Sequence, residues 1–313
     1  MKFITKKTTI NFLGASRRKA AIGLSIALVL ISLISLTTRG LDLGIDFTGG
    51  VLLEVGYPED ANLPKIRSLL VNDGFKDVQV QSFGSEKDVL LRLPPQSEGN
   101  PNDIRDRLRN ILATDEPDVD LRRVEFVGPQ VGKDLTEQGG LAMIFALLMI
   151  FAFVMFRFQW KFAAGAVCAL GHDVIITVGF FSLFGFEFDL TVVAAVLAVI
   201  GYSLNDTVVA FDRIRENFIK LRGVASDEAM NISINEMLAR TIITGVTTLV
   251  VLIALLLLGG ESVRPFSIAL IVGIIIGTYS SIYTAGAVAL MLDVNTKDLL
   301  PAEKNPDLID DLP

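Results

Sequence analysis

Cysteine and histidine are nearly absent from this chain of 313 residues, which contains only Cys168 and His172. A single cysteine excludes a disulfide framework and a cysteine-based metal site, and a single histidine excludes a His-rich metal site. Positive charge is not in excess either, because 28 lysines and arginines stand against 35 acidic residues, for a net charge of −7. Nucleic-acid binding calls for a basic surface. We therefore expect no nucleic-acid partner, no metal and no other cofactor.

Charge of either sign is scarce. Charged residues make up 20% of the chain and hydrophobic residues 51%, with a mean hydropathy of +0.53. A typical soluble domain has about 25% charged residues. The composition excludes a disordered chain and argues against an ordinary soluble one. The apolar residues are concentrated in long uncharged runs outside residues 39–135.

These runs predict six transmembrane helices, because a helix needs about 20 apolar residues to cross the hydrocarbon core. The predicted spans are 20–38, 138–156, 162–186, 190–211, 241–260 and 265–292. The first span follows a basic N-terminus, as a signal peptide would. It ends in SLTTRG rather than in a small-residue cleavage site, so we interpret it as a retained anchor.

Lysines and arginines near the helix ends predict the orientation of the chain, because they accumulate on the cytoplasmic side. Basic residues occur in the N-terminal segment 1–19, in the turn 157–161 and in the loop 212–240. We therefore expect these three segments and the tail 293–313 in the cytoplasm. Residues 39–135 are then extracytoplasmic.

Residues 39–135 form a small predicted domain of their own. Their hydrophobic pattern indicates the order β-α-β-β-α-β. The predicted strands are 51–57, 78–83, 89–93 and 119–127, and the predicted helices are 64–71 and 102–112. This order is typical of a ferredoxin-like fold. The predicted fold class is thus an α-helical polytopic membrane protein with six transmembrane helices and a small α+β ferredoxin-like extracytoplasmic domain between helices 1 and 2.

A glycine-rich segment, GIDFTGG at 44–50, lies between the first span and the first strand. Gly44, Gly49 and Gly50 allow positive φ angles and close approach of the backbone, and Asp46 adds a carboxylate. The pattern does not match a phosphate-binding loop, which usually carries a lysine before a following helix. We interpret the segment as a tight junction between helix 1 and the first strand.

Ionisable side chains inside predicted membrane spans are costly and therefore indicate function. Asp206 lies in the cytoplasmic half of the fourth span, where burial favours the neutral carboxyl group and allows a proton to be bound and released. The alternative is a structural aspartate held in an ion pair. Arg240 precedes the fifth span, and its long side chain can reach towards Asp206. It can equally be a basic anchor at the cytoplasmic surface.

His172 and Asp173 lie near the middle of the third span. The pair can extend a proton path or pack against a neighbouring helix, and the residues do not decide between these roles. An aspartyl protease built on Asp173 and Asp206, or a serine protease built on Ser203 and His172, lacks the motifs expected around those residues. The chain also lacks an ATP-binding loop. We therefore expect no enzyme but a machine driven by an ion gradient, which supplies about 2.3 kcal/mol per charge at 100 mV.

Four motifs together resemble the SecF proteins of the SecD/SecF protein-export family, within the resistance-nodulation-division superfamily. They are GIDFTGG at 44–50, VEFVGP at 124–129, ALGHDVIIT at 169–177, and VIGYSLNDT at 199–207 followed by DRIREN at 212–217. The resemblance covers nearly the whole chain. It implies that Asp206 matches the family's intramembrane proton-path aspartate and that Arg240 matches the arginine at the start of the fifth helix.

The resemblance also implies partners, location and activity. SecF-like proteins pair with SecD in the cytoplasmic (inner) membrane, and the pair associates with the SecYEG channel and its small membrane subunits. The expected activity is use of the proton-motive force to promote late, ATP-independent steps of translocation of a polypeptide. Two alternatives stay open: a scaffold that tethers SecD to the channel without conducting ions, and a small-molecule exporter. The residues do not distinguish proton from sodium coupling.

Overall fold

A computed structural model describes residues 9–75, 77–95, 101–221 and 223–295. The outer parts of the two predicted cytoplasmic termini, residues 1–8 and 296–313, and Arg222 of the predicted 212–240 loop lie outside the described residues. The helices are α1 (Ala15–Thr38), α2 (Ile45–Thr48), α3 (Leu63–Asn72), α4 (Pro101–Asp115), α5 (Pro129–Arg157), α6 (Trp160–Phe184), α7 (Leu190–Lys220), α8 (Ser226–Leu258), α9 (Arg264–Ile282) and α10 (Thr284–Met291). The strands are β1 (Asp42–Leu43), β2 (Gly50–Gly56), β3 (Gln79–Phe83), β4 (Ser85–Leu93), β5 (Asp120–Val127) and β6 (Glu187–Phe188).

The predicted number of transmembrane helices is confirmed. Within the described ranges, six helical stretches are long and apolar enough to cross a membrane: α1, α5, α6, α7, α8 and the α9–α10 pair. Helices α7 and α8 extend past the predicted spans as charged segments, so most of residues 212–240 is helical. The sixth stretch is interrupted at Tyr283, between α9 and α10.

The most extensive contact between two helices of the bundle is that of α7 with α9. Gly273 of α9 faces Val199 of α7, and a Cβ at position 273 would stand 2.2 Å from the Val199 Cγ2 atom. Small residues of this kind let membrane helices approach closely. Helices α5 and α8 instead present apolar side chains outward, among them Phe156 at 94% and Leu258 at 86% exposure. Such faces are typical of contact with lipid or with further membrane helices.

Residues 50–127 form a four-stranded sheet covered by two helices. The strand order is β3-β4-β2-β5, and every neighbouring pair is antiparallel. The face that carries Val51, Leu53 and Val55 packs against α3 and α4 and contains the hydrophobic core of this unit. The opposite face of the sheet is directed towards the ends of α7 and α9, from which it is separated by a cavity of about 700 Å³.

Candidate ion-coupling site

Asp173 in α6 is fully buried, and its carboxylate receives hydrogen bonds from two other helices. Ser203 Oγ of α7 donates to Asp173 Oδ2 at 2.5 Å, and Ser280 Oγ of α9 donates to the same oxygen at 2.8 Å. The second oxygen, Oδ1, lies 2.9 Å from His172 Nδ1. A buried carboxylate is tolerated where its oxygens are hydrogen-bonded in this way. Asp173 therefore connects α6, α7 and α9.

Gly277 provides the close approach of α9 that these bonds require. A Cβ at position 277 would stand 3.1 Å from the Ser203 Cβ and 3.5 Å from Asp173 Oδ2. Any larger side chain there would push α9 away from the carboxylate. Gly277 and Gly273 together form the G-x-x-x-G pattern of α9, which accordingly faces α7.

His172 extends this polar cluster towards α1. The side chain is buried, and its ring stacks on Tyr279 with a centroid distance of 6.2 Å. Tyr279 Oη donates to the carbonyl oxygen of Ala21 in α1 at 2.7 Å. The other imidazole nitrogen, Nε2, has no hydrogen-bond partner among the described residues. His172 thus links Asp173 to α1 and keeps one nitrogen available.

Asp206 in α7 has a different environment. It is 7% exposed, and its Oδ2 atom has no hydrogen-bond partner in the described part of the chain. It borders a gap of about 10 Å³ that Thr241 of α8 and Ser281 of α9 also line, which is near the lower limit for one water molecule. Arg240 interacts electrostatically with Asp206, but the ion pairs within 4.0 Å between described residues do not include these two.

The two carboxylates belong to one polar layer. Ser203, which donates to Asp173, precedes Asp206 by three residues, a rise of about 4.5 Å along α7. Ser280, the second donor, directly precedes Ser281 at the Asp206 gap. The two serines were not predicted from the sequence as partners of Asp173. The available signal was the spacing of Ser203 and Asp206, which places both on one face of α7.

The arrangement does not assemble either protease constellation considered above. Ser203 donates to Asp173 and not to His172. No hydrogen bond between described residues joins Asp173 to Asp206, and the Asp173 oxygens already have other partners.

The junction at 44–50 connects the sheet to the start of α7. Strand β1 pairs in parallel with β6, and Gly44 N donates to the Phe188 carbonyl oxygen at 2.9 Å. Asp46 Oδ2 accepts a hydrogen bond from the Leu190 N–H at 2.9 Å. Leu190 is the first residue of α7, where N–H groups lack partners within the helix. Asp46 therefore contacts the helix that carries Ser203 and Asp206.

Gly49 and Gly50 hold backbone conformations and contacts that leave no room for a side chain. Their φ angles are 71° and 128°, values that other residues rarely adopt. A Cβ at Gly50 would stand 2.3 Å from the Leu93 carbonyl oxygen, and a Cβ at Gly132 of α5 would stand 2.9 Å from Gly49 N. The junction therefore also contacts the start of α5, a contact that the sequence analysis did not foresee.

Two family models match the chain. The model described as "Protein export membrane protein SecD/SecF, C-terminal" matches residues 107–295, which is more than half of the chain. The model described as "SecD/SecF GG Motif" matches residues 34–57, around the junction. The chain belongs to the SecD/SecF family of protein-export membrane proteins. The family resemblance inferred from the four motifs is confirmed.

Curated members of this family are similar over their full length. "Protein translocase subunit SecF" of Pseudomonas aeruginosa is 49% identical over 305 residues, which are 97% of this chain and 98% of the relative. The protein of the same name from Vibrio alginolyticus is 47% identical over 316 residues, 100% of this chain and 99% of the relative.

Solved SecDF structures share the fold. The crystal structure of SecDF, a translocon-associated membrane protein from Thermus thermophilus, has a TM-score of 0.84 at 34% identity. The match covers 94% of this chain and 40% of the SecDF chain, so this chain spans about two fifths of that protein. A structure of SecDF in a super-membrane-facing form has a TM-score of 0.66 at the same identity and 92% coverage.

Proposed function

We propose that this chain is a SecF-type subunit of a SecD–SecF accessory complex of the Sec translocase. In this proposal it uses the proton-motive force to promote late, ATP-independent steps of protein translocation across the cytoplasmic membrane. Its partners are SecD, the SecYEG channel with its small membrane subunits, and the translocating polypeptide. The similarity to proteins named as translocase subunits, which extends over nearly the whole chain, supports the role. The match to part of SecDF supports a SecD partner.

The proposal includes an orientation and a fold for the sheet unit. Both termini are placed in the cytoplasm and residues 39–135 outside, where they meet the emerging polypeptide. The strand order β3-β4-β2-β5 with antiparallel neighbours supports a ferredoxin-like fold for this unit, since a β-α-β-β-α-β chain with this order has two helices on one face. Packing of α3 and α4 on a single face of the sheet agrees with it.

Asp206 carries the mechanistic part of the proposal, because it is a buried membrane carboxylate with an oxygen that has no partner in the described ranges. A proton arriving at this oxygen neutralises the side chain and removes its attraction to Arg240 on α8. The packing of α7 against α8 then changes. One proton crossing a potential of 100 mV supplies about 2.3 kcal/mol, enough to shift a two-state equilibrium about 50-fold.

Asp173 and His172 have supporting roles in this mechanism. Ser203 joins Asp173 to the face of α7 that also carries Asp206. In this mechanism a shift of α7 therefore also displaces α6 and α9. The bond from Leu190 N–H to Asp46 then carries the shift to the Gly44–Gly50 junction and to the sheet. Repeated protonation moves the sheet unit relative to the membrane.

The test is the substitution Asp206→Asn in vesicles that contain the complete chain, a SecD partner and the channel. Completion of translocation is measured with and without a proton gradient, and co-purification of the partner reports assembly. The matched control is Asp212→Asn on the same helix, whose carboxylate forms an exposed ion pair with Arg157. We expect gradient-stimulated translocation to vanish in Asp206→Asn and to persist in the control, with assembly intact in both.

A scaffold role is the second candidate. The outward apolar side chains of α5 and α8 suit packing against helices of a partner. If Asp206→Asn retains full gradient stimulation, the carboxylate is a packing residue and the scaffold becomes the better explanation.

A further inference from the structure

Arg92 is a buried charge on the face of the sheet that points away from α3 and α4. Its neighbours in β4, Leu91 and Leu93, belong to the core between sheet and helices, so Arg92 projects to the opposite side. The residue is only 7% exposed. Removing a guanidinium group from water to this extent costs free energy, which nearby carboxylates and hydrogen bonds must compensate.

The compensating carboxylates come from outside the four-stranded sheet. Arg92 Nη1 lies 3.0 Å from Asp42 Oδ1 in β1, and Arg92 Nη2 lies 2.6 Å from Glu187 Oε2 in β6. Asp42 and Glu187 are register partners in the parallel β1–β6 pair. Gln79 of the adjacent strand accepts a further hydrogen bond from Nη1 at 3.2 Å. One side chain of the sheet therefore holds both strands of the β1–β6 pair.

The β1–β6 pair is attached directly to the membrane helices. Strand β6 begins three residues after α6 ends and is followed by Asp189, the N-cap of α7. Gly44 packs closely against this segment, since a Cβ there would stand 3.0 Å from Glu187 Oε1 and 3.1 Å from the Asp189 Cβ. A shift of α6 or α7 must consequently move Glu187, and through it Arg92.

Two other arginines of the sheet unit, Arg122 and Arg107, lack this arrangement. Arg122 pairs with Asp88 at 2.7 Å, and Arg107 pairs with Asp73 at 2.8 Å. Both pairs lie within the sheet unit, and both arginine side chains are largely exposed. Exposed pairs of this type contribute little to stability. Arg122 is thus a matched control for Arg92.

We propose that Arg92 is a positioning residue that transmits movement of α6 and α7 to the sheet through its ion pairs with Asp42 and Glu187. This inference rests on the proposed function, which requires such a transmission, and adds residues that the junction motif does not contain. Transmission also requires an element with more than one arrangement.

Ionisation of Glu187 gives the ion cluster a distinctive pH signature. Burial raises the pKa of Glu187 above its ordinary value of 4.5; Arg92 opposes this effect, while Asp189 and Asp42 add to it. A carboxyl group whose pKa is raised in the docked state stabilises that state below the ordinary pKa, and the stabilisation is lost as the pH rises through the raised value. The burial cost of the ionised carboxyl group exceeds its gain from Arg92. Docking of the sheet should therefore strengthen on acidification although the charge that pairs with Arg92 is lost, and Glu187→Gln should remove this dependence.

Docking is measured directly by spin-label distances in the full chain in lipid nanodiscs. Labels are placed at Ser68→Cys on α3 and Leu183→Cys at the end of α6, both exposed, after Cys168→Ala removes the native thiol. We expect one narrow distance distribution in the wild type and in Arg122→Gln, and a broadened one in Arg92→Gln. An unchanged distribution in Arg92→Gln overturns the proposal.

Two further variants separate a specific charge cluster from general packing. Arg92→Lys keeps the charge and should restore part of the narrow distribution. The double variant Arg92→Gln with Glu187→Gln leaves no unpaired buried carboxylate at position 187. Its distance distribution should therefore be less broadened than that of Arg92→Gln alone. If the pH dependence of docking persists in Glu187→Gln, or if the double variant is the sum of the single ones, the ion cluster does not position the sheet.

The consequence for transport is measured in the vesicle assay. Arg92→Gln should lower gradient-stimulated translocation about 5-fold or more, the lower range of coupling between distant sites, while partner assembly and Arg122→Gln stay at wild-type values. If Arg92→Gln broadens the label distances but leaves translocation unchanged, Arg92 only docks the sheet and the proposal that it transmits movement is wrong. If the wild type shows no gradient stimulation, the proposed function fails, and the label distances still decide whether Arg92 positions the sheet.

Discussion

Gly50 is the position at which the junction tolerates a side chain least. It is the first residue of β2, and its φ angle of 128° lies in the region that favours glycine. A Cβ added there would stand 2.3 Å from the carbonyl oxygen of Leu93 in the neighbouring strand β4. That contact is with backbone, which cannot rotate away as a side chain could. We expect Gly50→Ala to separate the paired ends of β2 and β4.

The expected loss can be worked out from these two effects. A residue with a Cβ in a left-handed conformation costs about 1–2 kcal/mol, and overpacking at a tight contact typically costs about 1–3 kcal/mol. Gly50→Ala should therefore lower the free energy of unfolding by about 2–5 kcal/mol, which is a large share of the stability of an ordinary domain. The matched control is Gly140→Ala in α5, where an added Cβ meets nothing within 4 Å. In a helix, that exchange should be neutral or stabilising by up to about 1 kcal/mol.

Denaturant-induced unfolding of the full chain in detergent micelles, followed by protease protection of the sheet unit, measures the difference. Pulse proteolysis at each denaturant concentration reports the folded fraction of this unit directly. A Gly50→Ala variant as stable as Gly140→Ala would refute the reasoning, because neither the φ angle nor the Leu93 contact would then constrain position 50. A loss confined to Gly50→Ala supports both.

Two further predictions concern buried hydroxyl groups. Ser280→Ala removes a hydrogen bond to Asp173 and should lower the free energy of unfolding by about 0.6–2 kcal/mol. The Ser281 hydroxyl donates to a carbonyl oxygen within α9, so Ser281→Ala should lower the free energy of unfolding less in the same equilibrium measurement. Equal losses in the two variants would contradict the special role of Ser280. Burial, aided by two nearby carboxylates, raises the pKa of Tyr57 above its ordinary value of 10.0. Its stabilising contribution is therefore complete below pH 10.0 and is lost as the pH rises further. The melting temperature should fall more steeply in the wild type than in Tyr57→Phe between about pH 9 and pH 11; parallel curves would contradict this.

The elements that carry a strong local pattern could be predicted from the sequence. Uncharged runs predict each membrane helix, and alternation predicts strands such as β2 and β5 to within a residue or two of their ends. The charged extensions of α7 and α8 escape a criterion based on apolar runs, because helices outside the hydrocarbon core need no apolar surface. Hydropathy therefore does not predict that α7 ends at Lys220 or that α8 begins at Ser226.

Contacts between distant segments could not be predicted from the sequence. Strands β1 and β6 have two residues each, too few for a periodic pattern, and pair across more than 140 positions. Similarly, Asp173 is visible in the sequence as a costly charge, whereas its donors Ser203 and Ser280 look like ordinary small residues of packed helices. A charge in a membrane span reveals that partners must exist, but the identity of the partners depends on helix packing.

The two membrane carboxylates differ in what their oxygens can still accept. Asp173 has Ser203 and Ser280 on one oxygen and His172 on the other, all within 2.9 Å, so binding a proton there requires these contacts to rearrange. Asp206 has one oxygen without a partner among the described residues, next to a gap close to the size of one water molecule. A carboxyl group that cycles between protonated and ionised forms should be the one whose contacts rearrange least when a proton binds. The geometry therefore favours Asp206 as the carboxylate that exchanges protons and Asp173 as the fixed point against which α7 and α9 move.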